Sequence, residues 1–420
     1  MGYMAGSRRP GVTGPESAVD RWLGHLAAAG LLLLPVSFYL ARDYGDSARV
    51  FYLLVLLPAL LALPWWLPRQ RRSGLLGAGF LLLPPAWLAL STSWVDPALQ
   101  EGSRSTWYHV KPLLFLAGLW LACSVCVRRY PPFPRWLAGA VCLVSLPSAL
   151  LTLLLYLTQA LETGAWPRLA GVSLRGDVNV TATLYAVAAI FFACAILRHR
   201  SRWNLVRLAA LLLFLAIALL SRSKVPLLAL IAIFAMLLHV ALQQLSLRTR
   251  LAIAAVPLLM VAVYAVTLER IPLLERPEGY LLRLELWSQS LGQIAQARWF
   301  GHGVGAELPL YLPAQPVIGH AHNMLLDTWR VGGLVGALLL LGQLAGGAFI
   351  GWRVLRSHPD WLPVAGWWAL GVFFLMTNGQ QPLVKPHHVW FYYWIPLSLL
   401  LARYLADAVS SHPRADRGAP

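Results

Sequence analysis

Residues 204 to 242 read NLVRLAALLLFLAIALLSRSKVPLLALIAIFAMLLHVAL. Two apolar runs, 204 to 220 and 225 to 242, flank the turn Ser221-Arg222-Ser223-Lys224. Each run is close to the roughly 20 residues that a helix needs to cross about 30 Å of hydrocarbon. A turn that short sends the chain straight back, so the pair reads as two antiparallel membrane helices. The charges of Arg222 and Lys224 must then sit at headgroup depth or in a polar cavity.

Outward from this hairpin the same pattern recurs. Further apolar runs cover approximately 22 to 40, 50 to 67, 74 to 92, 110 to 127, 136 to 158, 180 to 197, 251 to 268, 324 to 350, 362 to 378 and 389 to 406, which makes about twelve spans in all. Of the 420 residues 58% are hydrophobic and 12% charged, against about 25% charged in an ordinary soluble domain. The expected fold is therefore an all-α polytopic membrane protein, one transmembrane domain over residues 1 to 420, and a soluble enzyme is excluded.

The chain carries 34 Lys+Arg against 17 Asp+Glu. In a soluble protein that excess would suggest nucleic acid. Here more than half of the basic residues fall on one set of short loops, such as PRQRRS (68 to 73), RRYPPFPR (128 to 135) and RHRSRWN (198 to 204). Loops of that kind stay in the cytoplasm, so both termini are expected there, with the first span retained as an anchor, and the excess is a topology signal. The four cysteines, Cys123, Cys126, Cys142 and Cys194, lie within or at the cytoplasmic ends of spans, and no disulfide is expected.

Nearly all the loop length falls on the opposite side, in segments 93 to 109, 159 to 179 and above all 269 to 323, between the ninth and tenth spans. The last is the expected active loop. Within it Tyr280, Leu281, Leu284, Trp287, Leu291 and Ile294 recur at helical spacing with Arg283, Glu285, Ser288 and Gln289 between them, the pattern of an amphipathic helix on or near the membrane surface. Trp94, Trp107, Trp299, Trp361, Trp390 and Trp394 fall near span ends and are expected to be interfacial anchors.

The outward basic residues run against the positive-inside bias. Arg175, Arg222, Lys224 and Arg283 stand out, and a guanidinium suits a phosphate or pyrophosphate because it offers a rigid, permanently charged fork of donors. Snorkelling to lipid phosphates is the bland alternative for Arg222 and Lys224. A second cluster is Gly301-His302-Gly303-Val304-Gly305, followed by Gly319-His320-Ala321-His322-Asn323. In a helix His320 and His322 would project from different faces, and no acidic cluster accompanies them, so proton abstraction suits them better than metal binding. Asp177, Glu285 and Asp327 are outward-side carboxylates without a partner that the sequence identifies. Gly332, Gly336, Gly342, Gly346, Gly347 and Gly351 read as close helix packing.

Taken together, these residues resemble the O-antigen ligase family, within the wider group that includes O-antigen polymerases and bacterial O-linked oligosaccharyltransferases. The most specific match is His322-Asn323, nine residues, then Gly333-Leu334-Val335-Gly336, although the family commonly continues with Thr where this chain has Ala337. Arg283 and Trp287 leading into Gly301-His302-Gly303, the Ser-Arg-Ser of 221 to 223, and Arg175 before Asn179 also match.

The resemblance implies a glycosyltransferase in the inner membrane of a Gram-negative bacterium. It would move polysaccharide from undecaprenyl pyrophosphate to a sugar hydroxyl of lipid A-core at the periplasmic face and so complete lipopolysaccharide. Metal-independent, inverting transfer is implied, without a cofactor or nucleotide sugar. His322 is then the expected general base, Arg175, Arg222 and Arg283 the pyrophosphate clamp, and Lys224, His320 and Asn323 supporting residues. A polymerase or protein O-oligosaccharyltransferase using the same donor remains an alternative, as does a transporter of lipid-linked sugars, which would be expected to show repeat symmetry or paired broken helices.

Overall fold

The computed structural model describes residues 17–70, 72–100, 106–174, 177–198, 201–242, 278–312 and 316–410. Its described residues form helices and connecting loops, with β-type pairing only at two isolated bridges, Gln100 to Ala306 and Leu310 to Ile318. The helices are α1 (Ala18–Ser37), α2 (Tyr44–Leu61), α3 (Arg72–Leu90), α4 (Thr106–Arg129), α5 (Phe133–Thr163), α6 (Val178–Arg198), α7 (Asn204–Ser221) and α8 (Lys224–Leu242). They continue with α9 (Glu278–Gln296), α10 (Met324–Ser357), α11 (Leu362–Asn378) and α12 (Ile395–Ser410).

Among the described residues, 9 helices are long and apolar enough to cross a membrane. Every predicted span except the one at 251 to 268, which lies outside the described residues, falls on a helix. The loop ends pair off in two sets. On the side predicted to be cytoplasmic, the fully buried Asp20 accepts hydrogen bonds from Trp66 Nε1, Arg69 Nη1 and Arg129 Nη2. On that same side Arg198 donates to the Pro359 carbonyl, and His358 and Arg403 meet Asp407. Burying one carboxylate between two arginines ties the start of α1 and the segment between α2 and α3 to the end of α4, since a lone charge there would be strongly destabilising.

Helix α9 forms where the amphipathic pattern predicts. Leu286, Ser290 and Ile294 are buried, with Leu286 packed among Leu282, Trp287, Leu310 and Leu312. Leu281, Leu284 and Leu291 stay about half exposed on the opposite side. The helix therefore has two apolar stripes, one packed on the loop that follows it and one left for a surrounding apolar phase.

Helix α10 is interrupted at Gly333, whose φ of 66° and ψ of −171° are not helical. That left-handed region favours glycine, and a β-carbon there would lie 2.2 Å from the Trp299 carbonyl oxygen. The break frees backbone groups that residues 298–303 fill. His302 N–H and Gly303 N–H donate to the carbonyls of Arg330 and Val331, while Leu334 N–H and Val335 N–H donate to those of Arg298 and Trp299. Satisfying every polar group is what permits irregular backbone at membrane depth. Thus Gly301-His302-Gly303 is a plug for a broken helix, and His302 Nε2 is held by the Gln293 carbonyl at 2.9 Å. Gly332 and Gly336, by contrast, lie close against Leu88 and Trp87 of α3, as packing glycines should.

The tryptophans divide. Trp107 and Trp299 are largely exposed, as interfacial anchors would be, whereas Trp361, Trp390 and Trp394 are buried in the core. Trp390 Nε1 donates to the Val384 carbonyl at 2.8 Å and Trp394 Nε1 to that of Pro382 at 2.9 Å. Their position at a span end is shared with interfacial residues, but their indole N–H groups serve the loop between α11 and α12. All four cysteines are free.

Candidate active site

The site is built around the tripeptide that precedes α10. Asn323 caps the helix, its side-chain oxygen accepting from the N–H groups of Leu325 and Leu326 at 3.0 Å each. This satisfies helix-end donors that would otherwise lack partners. Just before the cap, His322 has a φ of 50°, a left-handed conformation that a residue with a β-carbon adopts only when its surroundings impose it. The surroundings do so on both sides of Ala321. Its N–H donates to Asp327 Oδ1 at 3.1 Å, and its carbonyl accepts from Trp287 Nε1 at 3.1 Å.

Asp327 is the centre of this arrangement. Its carboxylate also accepts from Arg330 Nη1 and from the Gln381 N–H, both at 2.8 Å. Arg330, only 1% exposed, donates further to Gln293 Oε1 at 2.8 Å and to the Leu308 carbonyl at 2.6 Å. One buried ion pair therefore joins α9, the 297–323 loop, α10 and the loop after α11. The sequence showed no partner for Asp327 because Arg330 is only one helical turn along and reads as part of a span.

The turn also alters the relation of the two histidines. On a helix their rings would diverge, but here the His322 N–H donates to His320 Nδ1 at 3.3 Å and the ring centroids are 4.3 Å apart. With Nδ1 an acceptor, the proton of neutral His320 is on Nε2. Burial, then the neighbouring His320 and the Arg283 guanidinium, push the His322 imidazole down to about 4. Burial lowers His320 as well. Both rings are neutral near pH 7, which leaves His322 able to accept a proton.

Arg283 reaches this turn from α9. It lies four residues before Trp287, on one helix face, so the residue that holds Ala321 and the cation beside His322 are set by the same helix. Its Nη2 donates to Asn378 Oδ1 at 2.8 Å, at the end of α11. Burial lowers its pKa from the usual arginine value, a shift that still leaves the group charged.

Arg222 and Lys224 stand at a separate turn. Arg222 is the left-handed cap of α7, with φ 53°, and its Nη2 donates to the Trp166 carbonyl at 3.1 Å. Arg168 secures that turn, its Nε donating to the Ser221 carbonyl at 2.9 Å and its Nη2 to Asn179 Oδ1 at 3.0 Å. Lys224 opens α8 and is exposed. Arg175 lies outside the described residues. Next to it, Leu174 N–H bonds the Ala41 carbonyl, and Asp177 caps α6 through the N–H groups of Asn179 and Val180. The structure thus brings Arg283, His320, His322 and Asn323 together and places Arg222 and Lys224 at a turn bound to the start of α6.

Sequence reading missed the loop between α11 and α12. The His387 and His388 rings lie with centroids 3.7 Å apart and planes tilted by 34°, and Nδ1 of His388 shares a hydrogen bond of 3.1 Å with the Tyr44 hydroxyl. Burial, then His320 and Lys385, push His387 down to about 3. Nothing local signals these residues, since Pro386-His387-His388 is an ordinary loop until the fold sets it against His320. Among the described residues, no three His, Cys, Asp or Glu side chains form a group that could hold a metal ion.

A family model described as O-Antigen ligase matches residues 209–341. That stretch runs from within α7 to within α10 and includes Arg222, Lys224, Arg283, His320, His322, Asn323 and the break at Gly333. The chain is also 26% identical over 403 residues to an O-antigen ligase of Pseudomonas aeruginosa, covering 94% of this chain and 95% of that protein. The chain resembles the O-antigen ligases. The likeness to the Pseudomonas ligase is spread along the molecule, so it takes in the segment of Arg175 and the histidine loop after α11 as well as the stretch that the O-antigen ligase model matches.

Proposed function

We propose that this protein is an inner-membrane ligase that transfers polysaccharide from undecaprenyl pyrophosphate to a sugar hydroxyl of lipid A-core at the periplasmic face. The carrying observation is the pinned His320-Ala321-His322 turn, which sets a neutral imidazole beside the Arg283 guanidinium in a chain that resembles O-antigen ligases. Loop charge supports this orientation, since the basic loops belong to the end opposite this turn.

In the proposed reaction the acceptor hydroxyl gives its proton to His322, and its oxygen attacks the anomeric carbon of the donor. The bond from that carbon to the pyrophosphate oxygen breaks, and the electron pair leaves with undecaprenyl pyrophosphate. Negative charge grows on the leaving group, so fixed cations placed there favour the transition state over the ground state. Arg175, Arg222 and Arg283 are proposed for that clamp, with Lys224 beside it. A direct displacement inverts the anomeric centre, whereas retention ordinarily requires a carboxylate nucleophile. Asp327 is unsuited to that role because both its oxygens already accept hydrogen bonds. Asn323 supports His322 as the helix cap, and His320 by holding its backbone N–H.

The test is to incubate purified protein with lipid-linked polysaccharide and lipid A-core and to resolve the products on a gel. A joined product that needs both substrates supports the ligase. Longer donor-linked polysaccharide formed without the core would assign polymerisation instead.

A further inference from the structure

Beside the pinned turn lies a cavity of about 590 Å³, within the roughly 300 to 1,000 Å³ typical of small-ligand sites. Its floor is the saturated Asp327–Arg330 pair, and its walls come from the start of α4, residues 304–309, residues 317–320 and the loop after α11. Neither the turn of Arg222 nor Arg283 lines it.

We infer that this cavity is the acceptor subsite, holding a sugar ring of the lipid A-core oligosaccharide through Glu307, Gln380 and Lys385, with His320 at the end nearest His322. The inference rests on the ligase reading above.

The chemistry of the wall is that of a polyhydroxyl ligand. Glu307 and Lys385 line the cavity and are exposed, and neither the Glu307 carboxylate nor the Lys385 ammonium has a hydrogen bond or ion pair among the described residues, the Glu307 backbone N–H alone being bound, to the Leu99 carbonyl. A carboxylate accepts from hydroxyls, an ammonium donates to them, and neither is committed elsewhere. Gln380 shares one hydrogen bond with His387, 3.2 Å between nitrogens, and keeps the rest of its amide. His320 accepts at Nδ1 and so presents a donor at Nε2. Paired acceptors and donors around a cavity suit a ring whose every substituent is both. The donor belongs elsewhere, because its pyrophosphate is tied to a lipid and neither Arg222 nor Arg283 of the proposed clamp lines this cavity, while Arg330, which does, is already bound to Asp327, Gln293 and Leu308.

The test uses the exposed residues, whose replacement leaves packing intact. Glu307→Gln, Lys385→Ala and the double variant are assayed for transfer with each substrate varied in turn, and for binding of lipid A-core to detergent-solubilised protein. Loss of a charge-assisted hydrogen bond predicts a rise of about tenfold in the acceptor KM and Kd for each single variant, with the donor KM at its wild-type value. Unchanged acceptor KM and Kd in active protein would overturn the assignment, as would a rise in the donor KM instead. Wild type that binds lipid A-core in this cavity but does not join it to the donor would sink the ligase reading while leaving the subsite standing; wild type that does not bind it would sink both.

Discussion

Asp327→Ala removes the carboxylate that joins four segments at the active site. The side chain is 6% exposed, and that of its partner Arg330 is 1% exposed. Truncation leaves the guanidinium with Gln293 and Leu308 but without a counter-charge, and breaking a buried pair in this way costs about 3 to 5 kcal/mol. It also leaves the N–H groups of Ala321 and Gln381 without their acceptor. Asp327→Asn also removes the counter-charge but is milder, because its oxygen can still accept from Ala321 and Arg330; its amide N–H₂ faces the Gln381 N–H, and the loss of that charge-assisted bond costs about 1.5 to 3 kcal/mol. Thermal unfolding in detergent should therefore rank wild type above Asn above Ala. Transfer should fall in the Asn variant even at temperatures where it is fully folded, because the loop after α11, which carries Gln381 and His387, is no longer tied to the residue that holds the His322 turn. An Ala variant as stable and active as wild type would refute the view that this pair organises the site.

Three further outcomes follow. The acid limb of kcat/KM should lie below pH 6.5 and toward 4, because the folded protein holds His322 neutral down to about 4. The unfolded chain takes up that proton near 6.5, so the corresponding stability is complete above 6.5 and lost as pH falls toward 4; a limb at or above 6.5 in a pH-rate profile would contradict this. Arg222→Lys should lower kcat/KM by roughly 10- to 100-fold, as expected if a bidentate hydrogen bond worth about 1.5 to 3 kcal/mol is lost, and steady-state kinetics equal to wild type would make Arg222 a snorkelling cation. Excess EDTA should leave the initial rate unchanged if arginines form the clamp, and activity lost to EDTA and restored by magnesium or manganese would point to outward carboxylates.

The spans were legible because apolar runs near 20 residues have few alternative readings, and Arg222 stood out because a charge between two such runs must be accommodated. His322 was legible as a motif residue, but not its conformation: the left-handed turn depends on Asp327 and Trp287 holding Ala321 from two helices. Its contact with His320 contradicts helical spacing for the same reason. The packing of Leu286 and Ile294 of α9 was not legible because periodicity does not say which face of a helix packs. Tyr44, Asn378, His387 and His388 were invisible since each joins the site only through tertiary contacts hundreds of residues apart or from loops of ordinary composition. Trp390 and Trp394 misled because a span end reads as an interface until the loop that covers it is seen.

The central claim is that His322 receives the acceptor proton, and the direct measurement is the initial rate of polysaccharide transfer by His322→Ala beside donor binding by the same preparation. A positioned base contributes on the order of 10² to 10⁴-fold, so a loss of that size is expected with donor binding near wild type, and a milder loss in His320→Ala. Transfer at the wild-type rate by the His322→Ala protein would contradict it.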